Sequence, residues 1–130
     1  MNLIKKITEI PENFSEFLDE MLPEYTALYG AEAGAQYGEM IRPSLAKTLT
    51  DTHTVAYAMT VHQRVVGMVI GAVWLGAGHI HFIHVLSEHR GQAIEAGLLD
   101  ACVEEIKLQH PSYILAETIP LYPVNLDKPF

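Results

Sequence analysis

The stretch Val85-Leu86-Ser87-Glu88-His89-Arg90-Gly91-Gln92-Ala93-Ile94-Glu95-Ala96-Gly97-Leu98-Leu99 decides how this 130-residue chain is read. An apolar run ends on Val85-Leu86, a short polar loop with a glycine follows, and an amphipathic helix begins. From Gln92 to Leu108 the apolar residues Ile94, Leu98, Leu99, Cys102, Val103 and Ile106 fall at helical spacing, while Asp100, Glu104, Glu105 and Lys107 face away. The first backbone N–H groups of a helix have no intrahelical partner and sit at its positive end. A strand, a polar loop and a helix start therefore make a natural anion site.

The same reading extends in both directions from this stretch. Upstream, Thr54–Val61 and Val65–Leu75 are strand-like runs joined by a turn at His62-Gln63-Arg64, and Gly76-Ala77-Gly78 connects to a third run, His79–Leu86. In simple alternation, Ile80, Phe82, His84 and Leu86 share one face of that third strand, and His79, His81, Ile83 and Val85 the other. Downstream, Pro111 ends the helix and Tyr113–Ile119 supplies another strand, so strand, helix and strand form a βαβ unit with a parallel pair. Before the meander, Leu3–Ile10 reads as a first strand. Phe14, Phe17, Leu18 and Met21 then form the apolar face of a helix that Pro23 should break or kink, and a second helical region spans 31–50 with a break at Pro43. The expected fold is α/β, a mixed but mainly antiparallel sheet with helices on both faces.

Composition sets bounds on function. One domain over residues 1–130 fits the length, and a hydrophobic content of 49% argues for a folded core. No apolar run approaches the ~20 residues of a membrane span, and Met1–Ile10 lacks a signal-peptide core, so no membrane partner is expected. A single cysteine fits a reducing compartment and a cytoplasmic location. The net charge of −8 offers no basic stripe for nucleic acid. An acidic surface suits a cationic substrate such as an amine, although acidity also serves solubility alone.

The run from Val85 to Leu99 resembles motif A of the GNAT superfamily of N-acetyltransferases. There a valine ends a strand, and Arg/Gln-x-x-Gly-x-Gly/Ala opens a helix carrying a Leu-Leu pair. Arg90, Gly91, Ile94, Leu98 and Leu99 match common choices, and the element order from Leu3 to Ile119 matches as well. The resemblance implies a GNAT-type sheet, acetyl-CoA as co-substrate, a pyrophosphate held by the loop at Arg90, Gly91, Gln92 and Ile94, and pantetheine bonded by the backbone around Ile83 and Val85. Two positions depart from the pattern. Ala93 stands for the first glycine and Glu95 for the second, where a carboxylate ~4 Å from a phosphate costs ~1 to ~4 kcal/mol depending on the effective dielectric. An acid in a helix's first turn is also stabilising without any ligand.

His79-Ile80-His81 places two imidazoles about 7 Å apart on one face of a strand. They lie eleven and nine residues before Arg90. Arylalkylamine N-acetyltransferases, a branch of the same superfamily, carry a His-x-His pair at this offset, implicated in taking a proton from the amine through water. Superfamily histone acetyltransferases place a glutamate base at the position matching His79. An alkylamine must lose its proton before it attacks a thioester, and a histidine near pKa 6.5 suits that task. The same residues also read as ordinary polar groups on a half-exposed face. Zinc would need His84 or His89 as well, but no cysteine or acid completes a ligand set and no metal is expected.

By the resemblance, Asn125 begins the segment that precedes the family's general-acid tyrosine and its last strands. The chain stops at Phe130 before them, as a truncated chain or a shortened relative would, with Tyr122 the nearby substitute. An exposed sheet edge left there would suit a homodimer. Cys102 reads as core, Trp74 as a core or sheet-face residue, and Tyr25, Tyr29 and Tyr37 as either pocket-lining or helix-packing. The expected function is acetyl transfer from acetyl-CoA to a small-molecule or peptide primary amine, with His79, alone or together with His81, as the base acting through water. A non-catalytic module that binds a CoA species or a protein partner is the alternative.

Overall fold

A computed structural model describes residues 3–116 of the chain. The elements run β1 (Leu3–Lys6), α1 (Phe14–Tyr29), α2 (Ala31–Thr50), β2 (Thr54–Val61), β3 (Arg64–Trp74), β4 (Ala77–Val85), a 3-10 turn (Ser87–His89), α3 (Ile94–Lys107) and β5 (Tyr113–Ala116). They form one sheet in the order β1-β2-β3-β4-β5. The first four strands pair antiparallel and β4 pairs parallel with β5, as the βαβ reading requires. Asn125 and Tyr122 lie outside the described residues.

The two hairpins are tighter than the sequence suggests. Val61 faces Arg64 across His62 (φ 51°) and Gln63 (φ 65°), and Trp74 faces Ala77 across Leu75 (φ 53°) and Gly76 (φ 77°). Two residues at positive φ give the local twist that matches a right-handed hairpin.

Helices cover both faces. On one, α3 lies close because small residues face it. A Cβ added at Gly67 would meet Leu98 and Ile94, and one at Gly78 would meet Ile106 at 2.6 Å. Leu98, Cys102 and Ile106 are fully buried there. At 25 cal/mol per Å² of apolar surface, each such side chain contributes roughly 1.5–3 kcal/mol. On the other face, α1 and α2 pack over β2, β3 and β4 through Phe14, Phe17, Met21, Leu45 and Leu49.

Neither proline breaks its helix. Pro23 sits inside α1 and Pro43 inside α2. Both are exposed, and so are Asp19 and Glu39 four residues before them, so the carbonyls they strand reach water. The buried face of α1 before Pro23 packs on the core, and past it Tyr25 stacks on Tyr37 of α2, so tertiary contacts on both sides of the proline keep the helix intact. Trp74 is not core: it is 54% exposed at the end of β3 and sits edge-on to His53.

Candidate functional site

The site begins with an irregularity in β4. Ile70 faces Phe82 but Gly71 faces Ile80, so His81 is an extra residue that bulges out of the ladder. The bulge overturns simple alternation. Gly78, Ile80, Ile83 and Val85 point to the α3 face, as their partners Val73, Gly71, Val69 and Gly67 do, whereas His79, His81, Phe82 and His84 share the α1–α2 face. His84 is therefore on the same side as His79 and His81, not opposite them.

A cavity of about 450 Å³ opens on that side. Its apolar wall includes Phe14 and Met21 of α1, Ile41 and Leu45 of α2, and Met68 and Phe82 of the sheet. His81 stands at its polar rim with Asp51 and Thr54, and is exposed. His79, half-buried, stacks on His81 with ring centroids 5.6 Å apart and planes within 3°. The ring centroids are closer than the ~7 Å of strand rise because the side chains stack. Tyr25, Tyr29 and Tyr37 are not in the cavity wall. Tyr25 stacks on Tyr37 at 4.1 Å and leans on Tyr29 at 4.7 Å, joining α1 to α2. Burial, with Tyr25 alongside, pushes the Tyr37 hydroxyl up to about 12.

The end of β4 leads from the cavity to the loop. Leu86 N–H donates to the Val66 carbonyl at 2.9 Å, so the polar backbone groups of Leu86 face β3. By strand alternation those of Ile83 and Val85 face the other way, past the described β4–β5 ladder at Ala77–Ile80. The side chains of Ile83, Val85 and Ile94 are buried, and only the backbone of these residues can meet a ligand.

The loop itself turns on two left-handed residues, Gly91 (φ 81°) and Ala93 (φ 62°). They delay α3 to Ile94, two residues later than the hydrophobic periodicity implies. Gly97 N–H is bonded to the Ala93 carbonyl, and the N-cap residue Ala93 has no side-chain group to cap the helix. The N–H groups of Ile94, Glu95 and Ala96 lie in the first turn of α3, where donors have no carbonyl of their own helix to bond. This geometry fits a pyrophosphate, with Glu95 in the first turn as the opposing charge.

The Arg90 side chain does not extend along the loop. Its Nε donates to the Val85 carbonyl at 2.9 Å, and its Nη2 reaches both oxygens of Glu24 at 2.7 and 2.8 Å. His84 Nε2 lies 4.0 Å from Glu24 Oε1. Burial dominates His84 and lowers its pKa to about 4; Glu24 opposes that shift and Arg90 adds to it. Sequence reasoning missed Glu24. The signal was present, since Phe14, Phe17, Met21 and Glu24 follow one helical stripe and an acid on an apolar face needs a partner. The expected break at Pro23 removed Glu24 from that stripe.

Cys102 is fully buried with Sγ 3.8 Å from the Val55 carbonyl, and burial raises its thiol to about 12. It is a core residue. None of the described helices is long and apolar enough to cross a membrane.

Residues 14–120 match the model of the acetyltransferase (GNAT) family, and the chain belongs to that family. Solved structures share the fold at low identity. A PaiA N-acetyltransferase from Thermoplasma acidophilum in complex with coenzyme A aligns at a TM-score of 0.71 and 11% identity, over 84% of this chain and 74% of that one. An acetyltransferase from Vibrio fischeri gives 0.67 and 16%, over 89% and 95%. A ribosomal-protein-alanine N-acetyltransferase from Brucella melitensis biovar Abortus 2308 gives 0.61 and 18%, over 92% and 81%. The search among curated proteins gave no match.

Proposed function

We propose that this chain transfers acetyl from acetyl-CoA to a primary amine, with His81 and His79 handling the amine's proton. The observation that carries the reading is His81 in the rim of the 450 Å³ cavity, stacked on His79, on the strand that runs directly into the anion-binding loop. Acetyl-CoA would supply the activated acetyl group when bound. The α3 N-terminus and the loop from Arg90 to Ile94 would hold its pyrophosphate, and the outward backbone groups of Ile83 with the Val85 N–H its pantetheine amides, the Val85 carbonyl being bonded to Arg90. The apolar cavity wall would seat the amine's carbon body. His81, directly or through one water, accepts the ammonium proton so that the free amine attacks. His79 stacks behind it and fixes the ring.

The proton balance is simple. The amine nitrogen loses two protons, one to the histidine and then solvent, the other to the departing thiolate. The amide forms as the thioester bond breaks. The net negative charge favours approach of a cationic acceptor.

A second reading rests on Ala93 and Glu95, both of which weaken the loop as a phosphate site. On that reading the fold binds a CoA species or a protein without turnover. Calorimetric titration of acetyl-CoA followed by CoA release with a panel of amines separates the two. Turnover supports the enzyme, binding alone supports the module, and no binding at millimolar acetyl-CoA overturns both. For the enzyme, H81A should lower kcat by about 100-fold or more with little change in acetyl-CoA affinity. H79A should lower it less. An unchanged rate in H81A removes the histidine pair from the reaction.

A further inference from the structure

Arg90 is held at three points. Its backbone N–H bonds the Ser87 carbonyl of the 3-10 turn at 3.4 Å, its Nε bonds the Val85 carbonyl at 2.9 Å, and its Nη2 spans the Glu24 carboxylate at 2.7 and 2.8 Å. The first two anchors are local, within five residues. Glu24 ties the loop to another layer of the fold, 66 residues away in sequence. The loop beyond Arg90 needs such an anchor. Gly91 and Ala93 both sit at positive φ, and the N-cap residue Ala93 has no side-chain group to cap α3. An alanine leaves the left-handed region readily, so local preference works against the turn that exposes the N–H groups of Ile94, Glu95 and Ala96.

We propose that Glu24 is a positioning residue for the cofactor loop: by holding Arg90 it fixes the start of the turn that presents the α3 N-terminus to an anion. The pair is partly shielded, with side chains 22% and 27% exposed, so it is less screened than a surface pair. The same stripe of α1 that carries Glu24 also carries Phe14 and Met21, which wall the cavity. One rigid helix thus touches the amine side and the cofactor side of the site. The inference rests on the proposed CoA-binding role of the loop.

The test variant is E24D, which keeps the charge but withdraws the carboxylate by one methylene. A change of charge near the phosphate site is thereby avoided. R90K serves as a second variant, because it keeps a cation and loses Nε on Val85. Hydrogen exchange of the ligand-free protein should speed up about tenfold at residues 91–96 in both variants, a change typical of losing one contact in a coupled network. Residues 98–106 should keep wild-type exchange. Unchanged exchange at 91–96, or faster exchange throughout α3 and the sheet, overturns the proposal. In calorimetry E24D should weaken acetyl-CoA binding about tenfold, and equal affinity overturns the proposal as well. If the wild type binds no acetyl-CoA while E24D still loosens 91–96, the CoA reading fails and the Glu24 anchor stands.

Discussion

Ala93 carries a methyl group at φ 62° and ψ 19°, in the left-handed region where an L-residue costs roughly 1–2 kcal/mol. The side chain is exposed, so no packing offsets that cost. Glycine occupies this region freely, and A93G should stabilise the protein by about 1 kcal/mol after its larger backbone entropy is counted. Chemical denaturation reads the gain; a loss of stability would mean that Ala93 leaves this conformation in solution. On the proposed function, A93G should also tighten acetyl-CoA binding, because a methyl leaves the surface where phosphate approaches. At this scale the sequence marked the positions but not their contacts. Gly91 stood in the expected loop and the His79/His81 spacing was plain, but Ala93 was read inside the helix and its left-handed turn was not foreseen. What sequence could not show was the partner of Arg90. A loop arginine before a helix looks like a phosphate ligand until a carboxylate from a distant helix is found on it.

Elements were easiest to read where one period ran without interruption, as in α3, whose buried stripe of Ile94, Leu98, Cys102 and Ile106 matches its periodicity. Reading failed where tertiary packing overruled a local signal. Pro23 and Pro43 ordinarily end helices, but each projects to solvent from a helix whose opposite face is held by the sheet. The bulge at His81 left no sequence signature, since its neighbours continue an ordinary strand pattern, yet relative to His79 and His81 it moved Phe82, Ile83, His84 and Val85 across the sheet. The close approach of α3 to the sheet rests on glycines that sequence marked only as interruptions of β3 and as a connection. A Cβ at Gly71 would lie 2.5 Å from the His79 carbonyl oxygen and 3.0 Å from Cys102 Sγ. The first of these is backbone and cannot swing aside. G71A should therefore destabilise by about 1–3 kcal/mol and displace the His79 end of β4. Paired measurements of denaturation midpoint and, if the enzyme reading holds, of kcat check it; a neutral effect on stability would mean that the strands separate at this point without cost.

At the scale of the whole molecule, His84 ties global stability to pH. It is fully buried where α1 meets the sheet, edge-on to Phe17 at 5.6 Å and 6.5 Å from Phe82, and register partner of Met68. Folding lowers its pKa from 6.5 to about 4, first through burial, with Glu24 raising and Arg90 lowering the value. The unfolded chain therefore binds a proton below about pH 6.5 that the folded chain refuses until about pH 4. More protons on the unfolded state means that stability falls as pH falls across this window, by about 3 kcal/mol in all and about 2 kcal/mol by pH 5. Acidification also discharges a chain of net charge −8, which relieves self-repulsion and works in the opposite direction. The His84 contribution is isolated by comparing wild type with H84Q in urea at about pH 7.5 and about pH 5. The wild type should lose about 2 kcal/mol more than the variant over that interval. Should H84Q fold too weakly to measure, the imidazole resonances of the wild type answer the same question, since His84 must stay neutral at pH 5. Equal losses in the two proteins, or a His84 that titrates near 6.5, would show that water reaches this end of the core. The contact between α1 and β4 would then be looser than the packing around His84 requires.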